Sequence, residues 1–394
     1  MSAKTHVVVI GGGYAGVIAA NRLTQSDEVA VTLINPRPTF VERLRLHQLV
    51  TGSDDAVEDY REVLAQGVRL VVDTATRIDA GECKVALKTG LKIDYDYLIY
   101  AVGSRSAALS IPGASMFAHP IVTLEEAESA RRVLEAAPPS AFVTVVGAGV
   151  TGIETAAELA ETGRRVTLVC GDVLGPYLHP RGRRSVAKRL AKLGVTVIEG
   201  VGARATAVTS EAVKLSSGRS LQSDVTIWTA GFGVPDLAAM SGLTTDADGR
   251  LLTDETLTSV DDERIVAAGD SASPADLPLR MSCYSAQPLG AHAADTVLAR
   301  VASREPTPMS LGFYGLCISL GRGGATAQIA GKDDVAKAFY IGGRLGAGIK
   351  EGGTKGVLKR LKDEARKPGS LSWPQGISRP RAQPDRTDAA GRGT

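Results

Sequence analysis

The 394-residue sequence predicts an α/β fold made of two doubly wound strand–turn–helix units, followed by a small α+β domain. Two observations support this prediction. The same glycine-rich turn occurs twice, each time between an apolar strand and a helical segment. Glycine is also frequent, at 44 residues, without the Gly-X-Y period of collagen, which indicates tight turns and close approach of the backbone to a ligand. At roughly 150 residues per domain, the length allows two to three domains.

The net charge of +2 conceals a basic end, because residues 344–394 hold 12 Lys and Arg against five Asp and Glu. The first residues lack the apolar core of a secretion signal, and no stretch reaches the ~20 apolar residues of a membrane span, so we expect a cytoplasmic location. The four cysteines form no CxxC pair, and no histidine lies at ligand spacing from another histidine or a cysteine. We therefore expect free thiols and no metal site.

The first glycine turn follows the apolar run His6–Ile10. Its pattern, G-x-G-x-x-G, is typical of dinucleotide binding: one glycine makes the tight turn, one lets a pyrophosphate approach, and one lets the helix pack on the strand. The acid expected at the end of the next strand is replaced by Asn35, and Arg37 is suited to stack on adenine or to face a phosphate. The predicted binding residues are Gly11, Gly13, Tyr14, Ala15, Gly16, Asn35 and Arg37. The alternative is a tight turn without a ligand.

The second turn follows Phe142–Val146 and predicts a second dinucleotide site with Gly147, Gly149, Val150 and Gly152. Cys170 stands where the ribose-binding acid is expected, and Asp172 follows it. Farther along the chain, Arg181, Arg183 and Arg184 are candidates for a 2′-phosphate contact. These residues leave the choice between NADH and NADPH open.

The order of these motifs resembles the FAD-dependent pyridine nucleotide-disulfide oxidoreductases, especially their type II NADH dehydrogenase and apoptosis-inducing-factor-like branch. The resemblance covers about residues 5–350. It implies FAD as cofactor, NAD(P)H as hydride donor, a discontinuous FAD domain at 1–112 and 241–304, and an inserted NAD(P) domain at 113–240. The returning strands end in small-residue turns like the domain crossovers of the family, which implies cofactor contacts by Ala101, Gly103, Ala230 and Gly231.

The run Arg264–Asp270 resembles the second FAD motif of the family. The resemblance implies that Asp270 binds the ribityl chain and that Gly269 lets the cofactor lie against the backbone; a helix N-cap aspartate is the alternative. The following helix, expected at Gln287–Ala302, would direct its N-terminus at the flavin beside Ala286. Type II NADH dehydrogenases usually carry paired glutamines here that line the quinone site, and this chain lacks them.

Disulfide reductases of the superfamily need a cysteine pair soon after the first glycine turn, and Phe40–Leu49 contains none. We therefore exclude disulfide reduction by that mechanism. The same segment carries Arg45, which resembles a flavin-adjacent arginine of related enzymes; solvated charges on a helix face are the alternative. Glu154 resembles the glutamate that borders the nicotinamide and is the candidate catalytic residue. Its alternative is an ordinary acid in the first turn of a helix.

The C-terminal domain is expected at residues 305–366, with antiparallel strands near Leu311–Arg322 and Ala325–Ile329. A basic amphipathic helix is predicted at Thr354–Arg366, either on an anionic membrane surface, packed on its own domain, or at a homodimer contact. The Pro-, Gly-, Ser- and Arg-rich residues 367–394 are predicted to be a disordered tail.

These features predict an FAD-dependent NAD(P)H dehydrogenase that passes electrons to a quinone-like acceptor. Two alternatives remain: reduction of a small redox protein such as a ferredoxin, and a slow-turnover flavin redox sensor. The partners would be the nicotinamide nucleotide and a small-molecule or protein acceptor, with peripheral contact at the inner face of the membrane through residues 354–366. No nucleic-acid partner is expected, because the basic end lacks interleaved aromatic residues apart from Trp373.

Overall fold

The structure, a computed structural model, describes residues 4–275 and 279–376. In chain order, its strands are β1 (Thr5–Ile10), β2 (Val29–Asn35), β3 (Thr39–Val41), β4 (Val57–Asp59), β5 (Val68–Val72), β6 (Ala75–Asp79), β7 (Lys84–Leu87), β8 (Lys92–Asp94), β9 (Tyr97–Tyr100), β10 (Arg105–Ser106), β11 (Ala118–Pro120), β12 (Phe142–Val146), β13 (Arg165–Gly171), β14 (Thr196–Glu199), β15 (Ala205–Val208), β16 (Ala212–Leu215), β17 (Ser220–Gln222), β18 (Val225–Trp228), β19 (Phe232–Gly233), β20 (Leu251–Thr253), β21 (Ile265–Ala267), β22 (Ala272–Pro274), β23 (Gly315–Ser319), β24 (Ala325–Ala330) and β25 (Ala336–Gly342). Its helices are α1 (Tyr14–Leu23), α2 (Leu46–Thr51), α3 (Tyr60–Val63), α4 (Ala114–Phe117), α5 (Leu124–Ala136), α6 (Val150–Glu161), α7 (Pro180–Lys192), α8 (Leu237–Met240), α9 (Cys283–Val301) and α10 (Gly343–Arg366).

The first unit is built on a five-stranded parallel sheet in the order β21-β9-β1-β2-β5. Its central strand is buried on both faces, as a parallel sheet requires, and Val7, Val8 and Val9 have no exposed surface. Helices α1 and α9 pack closely against each other. Gly290 permits this approach, because a side chain there would collide with the backbone of Ala15.

The second unit is inserted into the first and carries its own parallel sheet, in the order β11-β18-β12-β13-β14. The antiparallel pair of β10 and β19 links the two crossovers between the units. The predicted fold of two dinucleotide-binding units, one interrupted by the other, is therefore confirmed. The return to the first unit comes earlier than residue 241, because Leu237 and Ala238 already pack in its core beside Tyr100.

The C-terminal domain is an antiparallel sheet, β23-β24-β25, followed by the long helix α10. The third strand was not predicted, and the helix begins at Gly343 instead of Thr354. Helix propensity alone does not account for these extra turns, because each glycine costs about 1 kcal/mol in a helix. Packing explains one of these glycines: a side chain on Gly346 would lie 2.7 Å from the carbonyl oxygen of Ala325.

The apolar face of the predicted basic helix is covered. Val357 and Leu361 are buried in the core of the first unit. On the basic side, the ammonium of Lys362 lies 2.6 Å from a carboxylate oxygen of Glu58. Of the alternatives for residues 354–366, the structure therefore supports packing on the protein itself.

The prediction of a disordered tail is wrong for residues 367–376, and residues 377–394 lie outside the described residues. The fully buried Glu364 carboxylate accepts hydrogen bonds from the backbone N–H groups of Gly369 (2.7 Å) and Leu371 (2.6 Å). The indole N–H of Trp373 donates to the carbonyl of Ser310 (2.9 Å), and the guanidinium of Arg22 lies 5.7 Å from the Trp373 ring centroid. Buried hydrogen bonds and one anchoring aromatic side chain thus hold a segment whose composition alone suggested disorder.

None of the helices in the described part of the chain combines the length and the hydropathy that a membrane-spanning segment requires. The four cysteines, Cys83, Cys170, Cys283 and Cys317, are free thiols. Among residues 4–275 and 279–376, no group of three or more His, Cys, Asp or Glu side chains is arranged to hold a metal ion.

Candidate cofactor sites and a buried charge cluster

The turn between β1 and α1 uses its three glycines in three different ways. Gly11 has a left-handed φ of 105°, and a side chain on it would meet the carbonyl oxygen of Ala101. A side chain on Gly16 would collide with the carbonyl of Gly11, so that glycine lets the helix pack against the turn. Gly13 has extended backbone, and a side chain on it would meet no atom within 4 Å. The turn therefore leaves an open space beside Gly13, at the N-terminus of α1, where an anionic group is favoured.

Asn35 ends β2, and its side chain stabilises this turn by two hydrogen bonds. Its Oδ1 accepts a hydrogen bond from the backbone N–H of Gly12 (3.0 Å), and its Nδ2 donates to the carbonyl of Arg37 (2.9 Å). The hydroxyl of Tyr60 donates to the carbonyl of Gly12 (2.7 Å). The amide of Asn35 is thus engaged in holding the turn. The guanidinium of Arg37 donates to both carboxylate oxygens of Glu125, so it ties the first unit to α5 of the second.

The turn between β12 and α6 repeats this geometry. Gly147 has a left-handed φ of 131°, and a side chain on Gly152 would lie 2.7 Å from the hydroxyl of Thr229. Gly149 has extended backbone with nothing within 4 Å, and Val150 begins the helix. The returning strand β18 ends at Trp228. Ala230 and Gly231 follow it, and Gly231 has a left-handed φ of 84°. The second unit therefore has an equivalent open space at the N-terminus of α6.

Glu199, which was not predicted as a site residue, ends the strand beside the one that carries Cys170. Parallel pairing places Glu199 opposite Gly171, and its carboxylate accepts a hydrogen bond from the backbone N–H of Leu174 (2.6 Å). Asp172 is directed elsewhere, to the guanidinium of Arg204 (3.3 Å). The signal for Glu199 was its position at the end of the next strand.

The candidate arginines for a 2′-phosphate contact lie on α7. Arg181 and Arg184 line a groove against β25, and the guanidinium of Arg183 donates to the carbonyl of Leu178 (3.4 Å).

Asp270 lies in a short 3-10 turn at the carboxyl end of β21. One carboxylate oxygen accepts a hydrogen bond from the hydroxyl of Ser104 (2.7 Å) and lies 3.9 Å from Nη1 of Arg43. The same guanidinium nitrogen would be 3.7 Å from a side chain on Gly103. Gly269 has a left-handed φ of 75°, and a side chain on it would lie 3.0 Å from Cβ of Ala15. The structure thus gathers Asp270, Ser104 and the turn of Gly103 at the mouth of the first glycine turn.

The cation beside Asp270 is Arg43. Arg45, which the resemblance predicts next to the flavin, has other partners in the structure. Arg45 donates to the side-chain oxygen of Gln48 (2.9 Å) and lies within 3.4 Å of carboxylate oxygens of both Glu42 and Asp54. The two arginines lie two residues apart on one short helical turn, so no local pattern distinguishes their partners.

Helix α9 begins at Cys283, four residues before the predicted start at Gln287. The hydroxyl of Ser282 caps it by accepting a hydrogen bond from the backbone N–H of Ser285 (3.2 Å). Ala286 lies in the first turn, where its Cβ would be 3.9 Å from a side chain on Gly269. Gln287 is buried, donates to the carbonyl of Val357 (2.8 Å) and accepts from Arg360 (2.8 Å), so it anchors α10.

Glu154 lies one turn into α6 and is the centre of a buried charge cluster that joins all three parts of the protein. Its Oε1 is 2.8 Å from the ammonium of Lys350 on α10 and accepts a hydrogen bond from the backbone N–H of Ser319 in β23 (2.8 Å). Its Oε2 lies 3.9 Å from Nδ1 of His47 on α2. The cluster thus combines one residue from each of four elements, and of these four residues only Glu154 is a predicted site residue.

Charge pairing in this cluster overcomes the cost of burial. Burial raises the pKa of Glu154, but the Lys350 ammonium, the His47 imidazole and the hydrogen bond from Ser319 together hold the pKa below its usual value. Burial lowers the pKa of Lys350, yet the Glu154 carboxylate raises it overall. For His47, burial lowers the pKa of the imidazole more than the negative charge of Glu154 raises it, so the pKa is below its usual value. The cluster is therefore an ion pair beside a neutral histidine at pH 7.

A protein-family model described as pyridine nucleotide-disulphide oxidoreductase matches residues 5–294. The chain belongs to this family. A curated relative, an NADH dehydrogenase-like protein of Mycobacterium tuberculosis, is 30% identical over 349 residues that cover 82% of this chain and 87% of the relative. The type II NADH:quinone oxidoreductase of Staphylococcus haemolyticus is 26% identical over 404 residues, covering 89% and 98%. The solved sulfide:quinone oxidoreductase of Aquifex aeolicus shares the fold, with a TM-score of 0.77 at 20% identity and coverage of 91% and 92%.

As a pyridine nucleotide-disulphide oxidoreductase, the protein uses FAD and NAD(P)H, and its residues fit both groups. A side chain added at Gly13 or at Gly149 would meet no protein atom within 4 Å, so the backbone of each turn is open to close approach by a dinucleotide. Near the first space, the buried hydroxyl of Tyr14 has no hydrogen-bond partner among the described residues. Asp270 and Arg43 supply the polar groups that a ribityl chain and a diphosphate require. The first site would hold FAD and the second the nicotinamide nucleotide.

Proposed function

We propose that this protein is an FAD-dependent NAD(P)H dehydrogenase that passes electrons to a quinone. The observation that carries the proposal is the pair of equivalent glycine turns, each with an open second glycine, in two units that share a double crossover. The long match to a type II NADH:quinone oxidoreductase supports the quinone as acceptor. When bound, the flavin accepts a hydride from the nicotinamide and releases electrons to the acceptor.

The residues of the chain act by binding and orienting. We assign the diphosphate of FAD to the N-terminus of α1 beside Gly13, and the ribityl chain to Asp270, which Ser104 holds in place. We assign the diphosphate of the nicotinamide nucleotide to the N-terminus of α6 beside Gly149. No cysteine pair takes part: Cys283, at the start of α9, is a single half-buried thiol, and desolvation raises its pKa to about 11.

An anaerobic reduction experiment tests the proposed function. The purified protein is reduced with NADH or NADPH and is then mixed with menadione. We expect the flavin absorbance to bleach, and then continuous oxidation of the nicotinamide nucleotide while quinone remains. Bleaching that stops after one equivalent would contradict the dehydrogenase function and support a redox sensor. Rapid turnover with a ferredoxin but not with menadione would replace the quinone by a protein acceptor.

Glu154→Gln is expected to raise the KM for the nicotinamide nucleotide and to slow flavin reduction by about 10-fold or more. We infer that the Glu154 carboxylate accepts a hydrogen bond from the nicotinamide carboxamide or ribose, and a hydrogen bond to a charged group contributes about 1.5–3 kcal/mol. Stopped-flow bleaching of the flavin measures the effect. The matched control is Glu158→Gln, one turn along α6, whose carboxylate is bonded to Arg322 and Ser53. Equal reduction rates in the two variants would remove Glu154 from this role.

We further propose contact with an anionic membrane surface, through the first turns of α10 instead of residues 354–366. Leu345 is 77% exposed and Ile349 is 43% exposed, and their spacing of four residues places them on one face of the helix. Arg344 lies beside them and would meet anionic headgroups. A quinone dissolved in the bilayer would be close to a protein held in this way.

Co-sedimentation with vesicles of phosphatidylcholine and phosphatidylglycerol tests the membrane contact. We expect the wild-type protein to pellet and the double variant Leu345→Ser/Ile349→Ser to remain largely in the supernatant. The control, Met116→Ser, removes a side chain that is 74% exposed on the second unit. Equal pelleting of all three proteins would reject the assigned surface.

A further inference from the structure

A groove of about 530 Å³ lies between α7 of the second unit and β25 of the C-terminal sheet. Its first wall is one face of α7, formed at helical spacing by Arg181, Arg184, Ser185 and Lys188. Its second wall consists of Ala338, Phe339 and Tyr340. The volume is within the range of small-molecule sites. None of the glycines of the second dinucleotide turn lines the groove, so it is a separate place on the molecule.

The cations of this groove have no acidic partner among the described residues, unlike Arg189 of the same helix. Arg189 lies 3.4 Å from a carboxylate oxygen of Glu161 and donates to the carbonyl of Leu320 (3.1 Å). In the described ranges, Arg181, Arg184 and Lys188 form no ion pair. Three unpaired cations along one wall concentrate a positive potential in the groove, which favours an anion with several charges.

The opposite wall offers an aromatic surface. Phe339 is 64% exposed although it is a large apolar side chain, and Tyr340 beside it is half-buried. An exposed aromatic side chain on the wall opposite a row of cations suits a ligand with a planar ring and a charged tail, since the faces of nucleobases stack on aromatic side chains.

We propose that this groove binds a nucleoside polyphosphate, with the phosphates on Arg181, Arg184 and Lys188 and the base against Phe339. Arginine recognises phosphate through paired N–H donors, and lysine contributes a point charge. The ligand would be a second nucleotide, bound in addition to the two dinucleotides and not consumed in the reaction.

The position of the groove means that a bound ligand would contact two domains at once. It lies across the joint between the second unit and the C-terminal sheet, where the hydroxyls of Ser185 and Thr326 are 3.2 Å apart. Strand β25 continues directly into α10, which carries Lys350 to Glu154. A ligand held by both walls therefore stabilises the joint that positions the buried ion pair. Its binding does not depend on the proposed dehydrogenase activity.

Isothermal titration of the FAD-loaded protein with ATP, in the presence of saturating NAD⁺, tests the proposal. We expect one ATP per chain, and a loss of affinity of at least 10-fold in Arg184→Ala/Lys188→Ala and in Phe339→Ser. Arg69→Ala and Arg219→Ala remove exposed cations elsewhere and should bind ATP as the wild type does. Equal melting temperatures of the variants would show that their folds are intact.

Three outcomes would overturn the proposal. Displacement of ATP by NAD⁺ would show that ATP binds in the second dinucleotide site. An unchanged affinity of Arg184→Ala/Lys188→Ala for ATP would show that ATP does not bind in the groove. Binding of vesicles that contain phosphatidylglycerol, without binding of free ATP, would assign the cations to a lipid headgroup. Inorganic tripolyphosphate tests the base contact separately, because binding as tight as that of ATP would exclude stacking on Phe339.

Discussion

Gly13→Val is expected to give a folded protein that is colourless, because it no longer binds FAD. Gly13 has φ −83° and ψ −165°, which any residue adopts, and a side chain there meets no protein atom within 4 Å. The valine side chain would instead occupy the space that the cofactor diphosphate needs beside the N-terminus of α1. Flavin absorbance per polypeptide, together with the far-UV circular dichroism spectrum, measures both parts of the result.

The second unit supplies the matched control for this experiment. Gly149→Val has the same geometry, with φ −72° and open space, and should retain the yellow colour while losing binding of the nicotinamide nucleotide. Gly16→Val should fail to fold, because its side chain would collide with the carbonyl of Gly11. A yellow Gly13→Val protein, or loss of flavin from Gly149→Val, would contradict the assignment of the two sites.

Lys350→Met is expected to lower the free energy of unfolding by about 3–5 kcal/mol, the cost of leaving a buried charge without its partner. The carboxylate of Glu154 is 5% exposed and the side chain of Lys350 16%, so water replaces the lost ammonium only poorly. Glu154 would keep its hydrogen bond from Ser319, which is neutral. Urea unfolding of the FAD-loaded protein measures the change.

The double variant Lys350→Met/Glu154→Gln distinguishes the contribution of the charges to stability from the contribution of side-chain packing in the cluster. It should recover most of the lost stability, because no unpaired charge remains buried. The contribution of the pair also has a defined pH dependence. Since the pKa of Glu154 is held below its usual value, this contribution is complete above the unfolded pKa and is lost as the pH falls through the lowered one. A double variant as unstable as Lys350→Met would contradict the electrostatic explanation.

The glycine turns could be predicted in detail, because their constraints are local. A left-handed φ at Gly11 or Gly147, and a helix that begins directly behind it, follow from a few consecutive residues. The same is true of Asp270, since a short buried strand delivers it to a glycine turn. These signals need no knowledge of the rest of the chain.

Composition was a poor guide where distant contacts decide the structure. The glycine-rich segment after β25 forms a helix because Gly346 fits against β24 and because Lys350 reaches Glu154. Residues 367–376 are ordered because Glu364 and Ser310 bind their backbone and the Trp373 indole. Their sequence resembles that of a flexible tail, and only the partners contradict it.

The sequence by itself therefore determined the two dinucleotide-binding units, their nesting and the family, because short motifs of strand, turn and helix carry that information. The tertiary structure alone decided which charged side chain meets which partner. It placed Arg43 beside Asp270, directed Arg45 toward acids, and brought Lys350 to Glu154 from almost 200 residues away. The physical reason is that an ion pair depends on distances between side chains from separate elements, and no local pattern in the chain encodes those distances.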